Sequence, residues 1–245
     1  WRGDQPAPGL QDFFAFLRER GIRFVLATNN ASKRPDQYAE KLARFGVEVP
    51  MECILTSAQA TAAYLAEREP KGTPVHVIGG EGLRAALVEQ GFVLAEKEAR
   101  YVVVGWDPDL TWWKLARATL LIRRGAGFVG TNPDRTFPSE EGLVPGNGAQ
   151  LAALEAATDV PPVIIGKPEP WLYREAMRRM GATPEATGVV GDRLDTDILG
   201  GVRLGLTTVL VLSGITVEED LDRSSVRPDL ICTDIGELVW LWSAI

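Results

Sequence analysis

Apolar residues first recur at helical spacing in the opening stretch, where Leu10, Phe13, Phe14 and Leu17 share one face and Gly21 stops the pattern. The run IRFVLA then reads as a short strand ending at the polar trio Thr28-Asn29-Asn30. The alternation repeats. Tyr38, Leu42 and Phe45 mark a helix closed by Gly46, ILTS reads as a strand end, and TAAYLAE belongs to another helix. Further on come PVIIG followed by GKP, a helix from about 170 to 180, GVVGD, a helix running through Gly205, TTVLVL, DLICT and a last helix to the carboxyl terminus.

Strands that are apolar throughout, alternating with helices, are what a parallel sheet covered on both faces requires. The expected core is therefore α/β and doubly wound, Rossmann-like, with ligands at the carboxyl ends of strands, where TNN, GKP and GDRLDTD fall. The middle stretch repeats strand and helix on its own, as TPVHVIG, GLRAALVEQG, YVVVGWD, LTWWKLARATLLIRRG and GFVGTN, between the polar, Pro-containing segments EREPKG and DVPP. This predicts a smaller α/β domain over 71–161 inserted into a discontinuous core of 1–70 and 162–245. Residues 131–148, TNPDRTFPSEEGLVPGNG, read as one long loop of the functional or mobile kind.

Composition narrows the chemistry. With 45% hydrophobic and 24% charged residues in 245, the chain can bury a real core. A net charge of −7 and a pI near 5.0 offer no overall positive field for nucleic acid or an anionic membrane, although a local anion pocket stays open. No apolar run reaches the length of a membrane span, and the expected location is cytoplasmic. Cys53 and Cys232 stand apart in apolar surroundings and read as buried, reduced thiols. His76 is the only histidine and reads as a core residue, which excludes a His-based triad or a several-histidine zinc site. Any metal must be held by oxygen, which favours magnesium.

Asp192, at the tip of a buried strand after Gly191, is well placed to ligate a hard cation. Asp195 reads as the N-cap of the following helix, and Asp197 as a group that orients a metal-bound water or an ammonium. Lys167, between Gly166 and Pro168, is either an ordinary turn lysine or a phosphate anchor. Thr28 and the amides after it, before a helix that Ser32 is expected to cap, form either an anion seat or ordinary turn chemistry.

In this order, VLATNN, GKP and GDRLDTDI resemble the second, third and fourth motifs of the haloacid-dehalogenase (HAD) superfamily of phosphatases. The insert, with GTNPDRTFP and GLVPGNGA, resembles the branch of NagD-type and p-nitrophenyl phosphatases and phosphoglycolate phosphatase, with a large α/β cap. The resemblance implies a magnesium-dependent phosphatase of small phosphate monoesters, a phosphorylated metabolite being the partner, working through an aspartyl-phosphate. It implies that Asp192 holds the metal, with Asp197 supporting Lys167 and the metal's waters. Thr28, Asn29 and Lys167 bind the transferring phosphoryl oxygens, with Asn30 beside them. Trp106, Asp107, Asn132, Asp134 and Arg135 are the candidate substrate contacts of the cap. The family's DxD motif, which carries the nucleophile, is missing, and the opening WRGDQPAPG resembles the segment just after it. The nucleophile is therefore expected upstream of Trp1. The alternative is a non-catalytic phosphometabolite-binding or regulatory protein. Trp112, Trp113 and Trp171 are expected as core or domain-interface packing, and the apolar WWKLARATLLI face leaves monomer and homodimer both open.

Overall fold

The computed structural model describes residue 1 and residues 3–139 and 141–244, the side chains of Pro138 and Ser139 excepted. In chain order the elements are α1 (Leu10–Glu19), β1 (Leu26–Thr28), α2 (Pro35–Arg44), β2 (Ile54–Thr56), α3 (Ser57–Ala66), β3 (Pro74–Ile78), α4 (Glu81–Glu89), β4 (Val93–Leu94), β5 (Tyr101–Val104) and α5 (Trp112–Arg123). They continue with β6 (Gly127–Gly130), β7 (Thr136–Ser139), β8 (Gly142–Pro145), α6 (Asn147–Thr158), β9 (Val163–Ile164), α7 (Pro170–Met180), β10 (Gly188–Gly191), α8 (Leu199–Arg203), β11 (Thr207–Val211), α9 (Glu218–Arg223), β12 (Leu230–Cys232) and α10 (Ile235–Ser243). By contacts the chain divides into one unit of Trp1–Leu26, Tyr38–Ile54 and Tyr173–Ile245 and another of Ala27–Gln37 and Leu55–Leu172.

In the first unit β10, β11 and β12 form a parallel sheet in that order. Val209, Val211, Cys232 and Leu238 are buried together under α10. Leu10, Phe14, Phe16 and Leu17 of α1 pack with Tyr38, Leu42, Val47 and Ile54 in a second cluster. Burying a side chain of this size contributes about 1.5–3 kcal/mol, so the spacing that set the helical face also sets its packing. Gly21 ends α1 with φ 62°, a left-handed turn that lets the Ile22 N–H donate to Leu17 O at 2.8 Å.

In the second unit five parallel strands run in the order β4, β3, β5, β6, β9. Their central positions are closed to water: Val102, Val103 and Val104 are 0% exposed. That is why these strands read as unbroken apolar runs. Helices α5 and α6 cover them with Ala118, Leu121, Leu151 and Leu154. Thr56 caps α3 in a reciprocal box with Gln59, each side chain meeting the other's backbone N–H at 3.2 Å. His76 is buried in β3, its Nδ1–H donating to Ala95 O at 3.0 Å.

Some sequence expectations need correcting. The IRFVLA strand is shorter than its composition suggests, because the ladder begins only at Leu26, where β2 provides a partner. The 131–148 loop contains a hairpin, β7 with β8, antiparallel with Thr136 opposite Pro145 and Phe137 opposite Val144. Prolines hid it, yet a two-stranded ribbon has an open side on each strand and tolerates them. Trp112 and Trp113 are not packed inside: they meet edge to face at 4.7 Å and remain 68% and 76% exposed. β9 is hydrogen-bonded to β6 at the end of the five-stranded sheet. Among the described residues no helix is long and apolar enough to cross a membrane.

Candidate active site

The second unit brings together residues from three distant places in the chain: the end of β1, the TNPD turn after β6, and the GKP turn after β9. Asn29 is the hinge of this arrangement. Its Oδ1 accepts the Lys167 N–H at 2.8 Å, and its Nδ2 donates to Lys167 O at 3.0 Å and to Asp134 Oδ2 at 3.3 Å. The carbonyl of Asn29 accepts from the hydroxyl of fully buried Ser57 at 2.6 Å, which ties it to the start of α3. The Lys167 ammonium donates to Ala27 O at 3.1 Å, so it lies beside the residue that precedes Thr28. The Lys167–Pro168 peptide is cis.

Thr28 Oγ1 accepts the Asn30 N–H at 3.2 Å, leaving its own proton to donate elsewhere. Asn30 Oδ1 accepts both the N–H of Ser32, at 2.8 Å, and its hydroxyl, at 2.7 Å. Ser32 therefore closes this loop rather than capping α2, which starts only at Pro35. Gly166 is needed for the meeting of the three segments. Its N–H donates to Thr131 O at 2.9 Å, and a methyl group there would lie 2.5 Å from Thr131 O and 2.6 Å from Asn29 Oδ1. After the turn, Trp171 packs edge-on against Tyr64 at 4.7 Å, with the Arg68 guanidinium 3.7 Å over the Tyr64 ring and 5.0 Å from Trp171.

The TNPD turn is seated on the start of α6. The N–H groups of Gly146 and Gly148 donate to Arg135 O and Asp134 O at 2.9 and 2.8 Å. Buried Asn147 donates through Nδ2 to Asn132 O at 2.8 Å. Within the turn, Thr131 Oγ1 donates to Asn132 Oδ1 at 2.9 Å, and Asn132 Nδ2 donates to Asp134 Oδ2 at 2.7 Å. Arg135 is exposed. Trp106 stacks on Phe137 at 5.0 Å and donates from Nε1 to Pro145 O at 3.2 Å, fastening the hairpin to the end of β5. Asp107 is 5% exposed and accepts from the Lys114 ammonium at 2.8 Å and the Asp109 N–H at 3.0 Å. Its backbone is clamped by Gln150.

Asp192 and Asp197 belong to the first unit, at the end of β10. Asp192 Oδ2 accepts the Ile215 N–H at 2.9 Å, and its carbonyl accepts the Thr216 N–H at 3.0 Å. Gly214 makes room for this carboxylate, since a Cβ there would collide with Asp192 Oδ2. Asp197 is 5% exposed, and its Oδ2 accepts the Arg193 N–H at 3.2 Å against the open face of Gly191. The Tyr173 hydroxyl lies 2.9 Å from Asp197 O and 3.1 Å from Thr196 O. Burial first, and Asp197 second, push this phenol well above its ordinary range.

Asp195 is not the N-cap. The turn over Leu194–Ile198 is π-helical and begins after Arg193, and no side chain caps it. Asp195 instead takes a forked pair from Arg193 at 3.0 and 2.8 Å, and that hydrogen bonding holds its carboxyl below the ordinary value. Sequence reasoning missed Ser57, Gly166 and Gly214. Only Gly166, inside GKP, carried a local signal.

Known proteins resemble the chain over nearly its whole length. A haloacid dehalogenase-like hydrolase model matches residues 1–93, and a HAD-hydrolase-like model matches residues 164–238. An acid sugar phosphatase of Staphylococcus aureus is 40% identical over 240 residues, covering 98% of this chain and 92% of that protein. NagD from Escherichia coli K-12 superposes with a TM-score of 0.91 at 35% identity, covering 97% of this chain and 93% of that one. The p-nitrophenyl phosphatase from Archaeoglobus fulgidus gives a TM-score of 0.93 at 33% identity, covering 98% and 94%.

Proposed function

Because the chain belongs to the haloacid dehalogenase-like hydrolases, in the branch of NagD and the p-nitrophenyl phosphatases, we propose that it hydrolyses small phosphate monoesters at a phosphoryl seat built from Thr28, Asn29 and Lys167. It is a phosphoric monoester hydrolase, and its substrate is a phosphorylated small molecule. Sugar phosphates and p-nitrophenyl phosphate are the esters to expect from the relatives' names, with phosphoglycolate and nucleotides as further candidates. The observation that carries this reading is the Lys167 ammonium at 3.1 Å from Ala27 O, the residue before Thr28, across a separation of 140 residues. This supports a seat in which a cation and a hydroxyl donor share one strand end.

Phosphoryl transfer depends strongly on positioning and on neutralising charge at the phosphoryl oxygens, also where a carboxylate is the nucleophile. The Thr28 hydroxyl and the Asn29 N–H would each donate to a phosphoryl oxygen, and Lys167 would neutralise part of the developing charge. Arg135, exposed where the hairpin begins, is the cap residue proposed to meet the leaving group. We propose the segment 71–161 as the cap that selects that group. No nucleophile is assigned among residues 1–245; the reaction is proposed to pass through an aspartyl-phosphate.

Family phosphatases generally use a divalent metal, and magnesium is proposed here. Asp192 and Asp197 offer carboxylate oxygens, the donor type such an ion takes, and Gly214 leaves the Asp192 carboxylate its space. Among the described residues no group of three or more His, Cys, Asp and Glu side chains could hold a metal. The residues thus fit magnesium in kind and would supply part of its ligand set: Asp192 would hold it, with Asp197 orienting its waters. When bound, such an ion would supply positive charge and Lewis acidity.

The test is phosphate release by the protein expressed from its complete reading frame, across sugar phosphates, phosphoglycolate, nucleotides and p-nitrophenyl phosphate, with magnesium and with chelator. Release that requires the metal is expected. No release from any of these esters would end the reading. Lys167→Met is expected to lower kcat by about 10²–10³-fold, the usual cost of removing one transition-state donor.

A further inference from the structure

The Asn29 side chain is an amide that meets both polar groups of one residue's backbone, accepting from the Lys167 N–H and donating to the Lys167 carbonyl. Such a two-point grip fixes the main chain from which the ammonium projects. It works in only one orientation of the amide. If Nδ2 and Oδ1 exchanged places, both bonds to Lys167 would pair like with like. The second contact of Nδ2, to Asp134 Oδ2, sets that choice, because a carboxylate oxygen accepts and never donates. Asp134 is itself oriented by the Asn132 Nδ2–H at 2.7 Å and by the seat of the turn on α6. The links run Asn147 to Asn132, Asp134, Asn29 and Lys167, all within one compact unit.

From this chain of contacts we infer that the Asn29 side chain and Asp134 are positioning residues for Lys167, with Asp134 setting the amide orientation by which Asn29 grips the lysine backbone. The inference rests on the phosphatase reading for its catalytic consequence, but the grip itself can be observed without turnover. It gives Asp134 a task other than touching substrate. It also explains why Asn stands at 29: Asp would bring a carboxylate against both Asp134 and the Lys167 carbonyl.

The experiment has two arms on the full-length protein. In the first, hydrogen exchange of the Lys167 amide is followed by NMR in wild type, Asn29→Ala and Asp134→Asn. Faster exchange of roughly 10-fold in both variants is expected, on the scale of one lost hydrogen bond. Unchanged exchange in Asn29→Ala or Asp134→Asn overturns the inference. In the second arm, kcat is measured for Asn29→Asp, for Asn29→Asp with Asp134→Asn, and for Asn29→Ala with and without Lys167→Ala, with thermal midpoints confirming that each variant folds.

Asn29→Asp is expected to lose about 100-fold in kcat, as misplacement by an ångström does. Adding Asp134→Asn should restore about 10-fold of that, since one amide donor again faces one carboxylate. Asn29→Ala should cost nothing further once Lys167 is gone. A merely structural role would give no rescue and an undiminished further loss in the Lys167→Ala background, and either result overturns the inference. Wild type inactive on every ester would instead overturn the phosphatase reading, with the exchange arm still deciding the grip.

Discussion

A methyl group at Gly166 would stand where Asn29 Oδ1 and Thr131 O now approach, so the absence of a side chain there is a requirement of the GKP turn. Gly166→Ala should part Asn29 from Lys167. We expect a loss of about 1–3 kcal/mol in stability, as overpacking gives, together with a fall in kcat larger than the rise in KM. Denaturant titration and steady-state kinetics on the same preparation check both. Gly214 stands in the same relation to Asp192. Gly214→Ala should push the carboxylate off the Ile215 N–H and raise the magnesium concentration for half-maximal activity by about 10- to 100-fold, the scale on which groups supporting a metal ligand act. A magnesium titration of phosphate release checks it. An unchanged half-saturation point would separate Asp192 from the metal.

Among the elements, α7 has a built-in acid sensitivity. Glu175, 8% exposed, is pushed up by burial but pulled further down by hydrogen bonds and charge from Arg178 and Arg179, leaving its carboxyl below the ordinary 4.5. A lowered carboxylate stabilises fully above its ordinary value, and that contribution is lost as pH falls through the folded value, here below pH 4.5. Glu175→Gln should therefore cost stability at pH 7, about 1–3 kcal/mol, and flatten the loss as pH falls below 4.5. Thermal midpoints across that range give the answer. At the other end of the chain's elements, Thr56→Ala removes the α3 cap and should cost about 1 kcal/mol.

Elements with strong period or clear stops were legible. The helix expected from about 170 to 180 is Pro170–Met180, and Gly21 and Gly46 end their helices with φ of 62° and 77°. What failed depended on partners distant in sequence. The β7–β8 hairpin is held by Trp106, and no local signal announces a stack 31 positions away on Phe137. Asp195 looked like a cap because the π-helical turn shifts the helix start, and Arg193 then claims it. In the candidate site, Lys167 and Thr28 were visible as residue types at strand ends. The two-point grip of Asn29 was not, since TNN fits an ordinary turn as well.

For the molecule as a whole, a net charge of −7 and a pI near 5.0 lead to a simple expectation: solubility should pass through a minimum close to pH 5 and recover on either side. Turbidity against pH checks it. The five-stranded sheet and the turns at its carboxyl ends also constrain any attempt to simplify the protein. Asp134 and the α6 start that seats it lie inside 71–161, yet their hydrogen bonds end on Asn29 and, through it, on Lys167. A minimal enzyme made by excising that stretch and joining the flanks would keep every residue of the phosphoryl seat while losing what orients it. Any shortened form without the insert would need another anchor for its lysine.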